Sequence, residues 1–183
     1  TIASAVRKVN ARNVFILPNN SNIIMAAQQA AALLTCNVIV LPTKTIPQGI
    51  AAAMAFDSSA DVAANERMMT EAFQSVVSGA VTFAVRSTKF HGEDIAEGDV
   101  MGMMDNDLCS VGATVDAVTR DLLDKMMQKL GETDAAVTMF YGESVEEASA
   151  NQLVEQLEEA YPDAEFIVQS GGQPLYYYYL SVE

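Results

Sequence analysis

The sequence predicts an α/β fold, a parallel-sheet crossover lobe followed by a mixed α/β lobe with a small antiparallel meander, and three features carry that prediction. First, Asn13-Val14-Phe15-Ile16-Leu17-Pro18 and Asn37-Val38-Ile39-Val40-Leu41-Pro42 are nearly the same phrase written twice. Second, an alanine-rich apolar stretch joins them, and both flanking runs are continuously apolar rather than alternating, as in strands buried on two faces. Third, several short apolar runs between Ala80 and Val111 are punctuated by Gly92, Glu97-Gly98-Asp99 and Asp105-Asn106-Asp107, the pattern of strands linked by tight turns.

In chain order, Ile2, Val6 and Val9 fall at helical spacing opposite Arg7, Lys8 and Arg12, which reads as a short amphipathic helix or the tail of a linker. Val14 to Leu17 is a first strand. Asn19-Asn20-Ser21-Asn22 supplies capping side chains before a helix over Ile23 to Leu34, and Val38 to Leu41 is a second strand. Strand, helix and strand in so short a span form a right-handed parallel crossover, which sets the two proline-ended tips side by side at the carboxyl edge of the sheet. Ligands of open α/β sheets bind at that edge.

A helix then opens at Ile46 or Pro47 and runs through Phe56, and a second covers Val62 to Val77 with Met69, Phe73 and Val76 on one face and Gly79 as its stop. Ala80 to Val85, Val100 to Met104 and Leu108 to Val111 read as strands, and Arg86 to Asp94 as a polar excursion. Gly112 to Leu130 is the clearest helix, with Val115, Val118, Leu122, Met126 and Leu130 on one stripe and Gly131 after it. Ala135 to Tyr141 is a strand, and Ser144-Val145-Glu146-Glu147 has the form of a capping box for a helix to Tyr161, ended by Pro162. Phe166 to Gln169 and Leu175 to Val182 are two last strands around a glycine turn; in the second, alternation sends Tyr176 and Tyr178 to one face and Tyr177 and Tyr179 to the other.

Composition narrows the function. The chain has 183 residues, half of them apolar, enough for one domain or two small lobes, 1–78 and 79–183. It lacks an initiator Met and a secretory leader, so a piece of something longer is expected. Its longest apolar stretch is too short for a membrane span, and two cysteines without metal-ligand spacing point to a cytoplasmic home with free thiols. Net charge is −14, and no Lys or Arg follows Lys129 while acidic residues continue from Glu132 to Glu183. That half disfavours nucleic acid and anionic membrane; it is either a solvated face or a match for a basic protein surface.

Candidate site residues gather at the turns. Thr43-Lys44-Thr45 stands in a strand-to-helix loop, where a lysine and hydroxyls can hold an anion. Its glycine follows the lysine and its prolines lack N–H groups, so it is not a Walker loop, and Thr45-Ile46-Pro47-Gln48 also satisfies a capping box. Capping, anion contact and partner docking all remain open for Thr43, Lys44, Thr45 and Gln48. Asn19, Asn20, Ser21 and Asn22 are capping residues that could also bind a carboxylate or phosphate; Arg86 could bind an oxyanion or a carboxylate side chain. Gly171, Gly172 and Gln173 form a turn that lets a backbone approach a ligand or simply joins two strands. His91, the single histidine, sits in a polar turn without triad partners, and no catalytic or metal-binding set stands out.

Ile16-Leu17-Pro18-Asn19-Asn20-Ser21-Asn22, Leu41-Pro42-Thr43-Lys44-Thr45-Ile46-Pro47-Gln48-Gly49, Phe140-Tyr141-Gly142-Glu143, Gly171-Gly172-Gln173-Pro174-Leu175-Tyr176 and the end Ser181-Val182-Glu183 together resemble the C-terminal domain of one bacterial family. This is the ATP-binding component of fatty acid kinase, a dihydroxyacetone-kinase-like protein, and the resemblance covers essentially the whole chain. It implies a DegV-like fold over 1–183 as one C-terminal domain. It implies a parent kinase that transfers phosphate from ATP, with magnesium, to a fatty acid held by a separate DegV-type fatty-acid-binding protein, the nucleotide being bound in an N-terminal domain. On that footing this fragment has no cofactor and no catalytic residue of its own, and its role is docking the acyl carrier or supporting assembly, including a homodimer of the parent. The alternative is a small-molecule or anion-binding domain using the paired strand-tip loops. One departure bears on lipid: the carrier's Thr-Ser pair after its first strand has no counterpart, since Asn19-Asn20-Ser21-Asn22 stands there.

Overall fold

The computed structural model describes residues 1–90 and 92–183, so the reading of His91 lies outside the described residues. Two compact units divide the chain, Thr1–Val76 and Val77–Glu183. In the first, α1 (Ile2–Val9) is capped by the Thr1 hydroxyl, which accepts from the Ser4 amide. β1 (Asn13–Ile16), α2 (Ser21–Ala32) and β2 (Asn37–Val40) form the expected crossover, the strands running parallel in register from Asn13 opposite Asn37 to Ile16 opposite Val40. α3 (Ile46–Met54) and α4 (Val62–Ser75) complete the unit.

Its core is Leu41, Ala52, Met69 and Phe73, with Phe15, Leu17 and Ile39 packed against them, so odd-numbered strand residues face α3 and α4. The loop between those helices is held by Asn65, which is 3% exposed. Its Oδ1 accepts from the Asp57 amide at 2.8 Å, and its Nδ2 donates to the carbonyls of Asp57, Ala60 and Asp61.

The second unit holds β3 (Val77–Phe83), β4 (Thr88–Phe90), β5 (Glu93–Ile95), β6 (Val100–Met104), β7 (Asp107–Gly112), α5 (Val115–Leu130), β8 (Ala136–Tyr141), α6 (Glu147–Ala160), β9 (Glu165–Ser170) and β10 (Tyr176–Val182). Six strands make one sheet in the order β7-β6-β3-β10-β8-β9, antiparallel throughout except for the parallel pair β8 and β9. β3, β6 and β7 are the antiparallel meander, and β4 and β5 form a separate hairpin. Val118, Leu122 and Met126 of α5 and Leu153 and Leu157 of α6 pack with Val81, Val137, Met139, Leu180 and Val182 of the sheet.

Four local expectations are corrected. Gly79 does not stop α4: Val76 turns extended (φ −82°, ψ 127°) and Gly79 lies within β3, where a side chain would meet Met126 and Leu180. Gly112 pairs with Val100 as the end of β7, and Thr114 caps α5 instead. Ser144 caps nothing; the Val145 amide donates to the Gly142 carbonyl in a turn, and α6 starts after Glu146 without a side-chain cap. β9 and β10 are not neighbours, because β8 lies between them.

The tyrosine run also departs from strict alternation. A bulge between Tyr176 and Tyr178 shifts the pairing with β3, and the Tyr176 and Tyr179 rings stack with centroids 4.8 Å apart. Tyr178 is fully buried, and Tyr177 meets Phe83 edge to face at 6.1 Å.

Burial, with the charge of Asp116 in second place, pushes the Tyr178 phenol from its ordinary 10 up to about 12. Burial, with Tyr176 second, does the same to Tyr179. A phenol whose folded value is raised stabilises the fold fully below its unfolded value and loses that contribution as pH climbs through the folded one. Lys129, raised by its 2.6 Å bond to Asp105, acts in the same direction. Stability measured by urea unfolding is therefore expected to fall from pH about 10 to about 12, with two phenols ionising late in near-ultraviolet titration and Tyr178→Phe flattening the decline.

Candidate functional site

The paired tips at the carboxyl ends of β1 and β2 are held by one buried hydroxyl. Asn19 takes the left-handed region at φ 55°, which turns its backbone N–H toward Thr43 Oγ1 at 3.1 Å. Thr43 Oγ1 in turn donates to Asn19 Oδ1 at 2.8 Å, and Thr43 is wholly buried. The Asn19 amide lies over Gly49 of α3, in space that any side chain at Gly49 would fill.

The rest of the loop is bound into the start of α3. The Thr45 hydroxyl accepts from the Gln48 amide at 3.2 Å, and Gln48 Oε1 accepts from the Lys44 amide at 2.8 Å, one residue earlier than in a standard capping box. The Thr43 amide donates to the Leu41 carbonyl at 2.7 Å. The Thr43 and Thr45 hydroxyls and the Thr43, Lys44 and Gln48 amides are thus engaged by neighbouring protein groups, while the Lys44 side chain is exposed. Asn20 caps α2 by accepting from the Asn22 amide at 2.9 Å, while Ser21 and Asn22 are exposed in its first turn.

The remaining candidates belong to the second unit. Arg86 is exposed just beyond β3. Gly171 and Gly172 both direct their amides to the Tyr141 carbonyl, at 2.9 and 3.3 Å, and Gln173 Nε2 donates to the Phe140 carbonyl at 2.9 Å. The Gln173 carbonyl accepts from the Glu143 amide at 3.1 Å. The two motifs Phe140–Glu143 and Gly171–Gln173, separated in sequence, are therefore one interlocked corner, and Gly142 is required there because a side chain would strike the Tyr176 carbonyl oxygen.

Charge gives the second unit a different surface. α6 has Glu158 and Glu159 in its last turn with no basic residue there, followed by exposed Asp163 and Glu165. Carboxylates at a helix C-terminus oppose the helix dipole, and Glu155 one turn before Glu159 adds repulsion. Among the described residues the ion pairs are Lys89 with Asp94, Lys125 with Asp121 and Lys129 with Asp105, none of which reaches this end of α6. Arg120 of α5 instead donates to Gln156 of α6, which sets the two helices side by side. Burial and then the charge of Asp121 raise the Asp124 carboxyl above its usual range, one turn beyond Arg120.

Sequence reasoning did not find a groove in the first unit, lined by residues of α1, β1, α3, α4 and their loops, among them Arg12, Phe15, Phe56, Val62 and Met69. The available signal was the absence of any charged residue from Asn13 to Thr43. Among the described residues no group of three or more His, Cys, Asp or Glu side chains gathers where a metal could be held. No helix among them is long and apolar enough to cross a membrane.

This two-unit α/β architecture is that of DegV-type proteins. It is similar to the Streptococcus pneumoniae Fatty Acid Kinase (Fak) B3 protein, solved loaded with linoleic acid, at TM-score 0.68 and 12% identity over all of this chain and 76% of that one. It is also similar to a DegV lipid binding protein from Thermotoga maritima, at TM-score 0.66 and 11% identity over all of this chain and 73% of that one. The family is narrower than the fold: the family model for the FakA-like C-terminal region of fatty acid kinase matches residues 1–183, and the chain belongs to that family. Protein YloV of Bacillus subtilis is 45% identical over 182 residues, and a Staphylococcus epidermidis protein 36% identical over 182 residues. In both, the match covers all of this chain and 32% of the relative, so the chain spans about a third of their length.

Two substitutions test the local geometry. Thr43→Val leaves the Asn19 backbone N–H and side-chain Oδ1 without their partner and is expected to cost about 1–3 kcal/mol in urea unfolding, whereas Thr43→Ser keeps the hydroxyl and loses only about 1 kcal/mol for its methyl group. Gly142→Ala drives a methyl group into backbone rather than into a movable side chain, and a loss of about 3 kcal/mol is expected in the same measurement.

Proposed function

We propose that this chain is a non-catalytic docking module of a fatty acid kinase, presenting the acidic end of α6 to a basic surface on a separate DegV-type fatty-acid-binding protein. The observation that carries it is the cluster Glu155, Glu158, Glu159, Asp163 and Glu165, exposed and acidic where the helix dipole favours cations. Charge held against local stability is expected where a surface serves a partner, and complementary charge speeds encounter and fixes orientation.

The family membership supplies the setting. Phosphoryl transfer from ATP with magnesium to the carrier-bound fatty acid falls, in this proposal, to parts of the longer relatives outside this chain. No step of that chemistry is assigned to residues here. Docking holds the carrier close to the kinase domain and raises its effective concentration. The strand-tip loop supports the domain in this scheme by fixing its backbone, since its polar groups bind one another.

Titration calorimetry between this chain and the carrier of the same organism tests the proposal. Binding is expected to weaken steeply with added salt, and the triple variant Glu155→Gln, Glu158→Gln and Glu159→Gln is expected to lose at least about tenfold in affinity while its unfolding transition stays in place or rises. Absence of binding by the unmodified chain, or a variant that binds as well as it does, would reject the docking role.

A further inference from the structure

The groove in the first unit runs along the outer edge of β1, and the ladder between β1 and β2 shows which backbone groups it meets. The Asn37 amide donates to the Arg12 carbonyl at 2.9 Å, and the Leu41 amide to the Ile16 carbonyl at 3.0 Å. In a parallel pair, alternate residues direct both their N–H and C=O toward the same neighbour. Arg12, Val14 and Ile16 therefore serve β2, and Asn13, Phe15 and Leu17 turn their backbone groups the other way. These last three line the groove.

The groove holds about 600 Å³. Its walls are Phe15, Phe56, Val62 and Met69, and Arg12 stands at the end where β1 begins. Phe15 and Phe56 meet edge to face at 6.0 Å. The far wall is the loop pinned by the four hydrogen bonds of Asn65, so the cleft is built on fixed backbone. Sheet edges are ordinarily blunted by lysine, proline or a bulge, yet from Asn13 to Leu17 this edge carries neither charge nor proline, and its register with β2 is unbroken.

We infer that this edge is a strand-addition site for an extended peptide. Bound there, the peptide pairs its backbone with Asn13, Phe15 and Leu17, sets alternate apolar side chains against Phe15, Phe56 and Met69, and brings an acidic residue to Arg12. The stretch from Asn13 to Leu17 spans about 13 Å, room for about five residues of strand. The backbone groups select this occupant over an acyl chain, which would fill the apolar volume and leave rows of donors and acceptors covered but unpaired. The inference rests on the first unit alone and stands or falls separately from the acidic end of α6.

The test uses the isotope-labelled 183-residue chain and a heptapeptide, acetylated and amidated, of alternating valine and threonine flanked by glutamates. On titration the amide signals of Phe15 and Leu17 are expected to shift and their hydrogen exchange to slow at least about tenfold, with Val14 and Ile16 unchanged, as pairing at a formerly open edge requires. N-methylating alternate residues of the peptide is expected to abolish binding in one register and spare it in the other. Arg12→Gln, an exposed position outside the core, is expected to weaken binding several-fold. Three results would overturn the inference: Phe15 and Leu17 amides already as protected as Val14 in the free chain, a peptide that binds equally well when N-methylated at every residue, or decanoate binding in the groove where the peptide does not.

Discussion

The second unit depends on how closely α5 seats on its sheet. Gly79 in β3 and Gly102 in β6 lie under the helix, where an added side chain would come within 2.6 Å of the Met126 sulfur and 3.1 Å of a Val118 methyl group. Two strands without side chains at those points let Val118, Leu122 and Met126 reach the sheet and close the core with Val81 and Leu180. The central strand β10 is then covered on that face by residues drawn from both helices, and β8 and β9 extend the sheet to seat α6. The acidic end of α6 is consequently carried on a helix whose Leu153 and Leu157 are packed into the core.

The first unit is organised by a smaller device. Its sheet has two strands, and such a pair is weak on its own, so the tips are joined by the Thr43 hydroxyl, acting as donor and acceptor at once. This joint gives the repeated proline phrase a structural meaning, since the two tips become one piece of backbone. It also turns the Thr43 hydroxyl inward, where it is wholly buried against Asn19.

Much of the fold was legible because its signals are local. The parallel crossover followed from continuous apolar strands around a capped helix, and α5 followed from its stripe and from Gly131, which takes the left-handed conformation at φ 79°. The errors share a cause. Gly79 reads as a helix stop, but its role is set by Met126 of α5, far along the chain, and Gly112 reads as the start of a helix, but it is drawn into β7 by pairing with Val100. Ser144 lost its cap because the Glu143 amide is drawn to the Gln173 carbonyl, a contact between distant segments. The candidate site divided in the same way: Thr45 caps as its spacing to Gln48 implied and Asn20 is the one of four capping candidates that caps α2, while the Asn19 to Thr43 joint and the edge groove of β1 depend on neighbours that no spacing reveals.

The sequence by itself determined the class of the fold, the opening of α3 after Thr45, and the concentration of acid beyond Lys129. Those features rest on periodicity, capping and charge, which act over a few residues or over composition. Tertiary structure alone decided the strand order, the corner that joins Phe140–Glu143 to Gly171–Gln173, the inward use of Thr43, and the pairing of β1 with β2 that sets Asn13, Phe15 and Leu17 along the groove. Each of these is a choice of partner for a hydrogen-bonding group, and a backbone donor or hydroxyl has the same chemistry whichever partner it finds; only the packing of distant apolar faces brings one of them within reach.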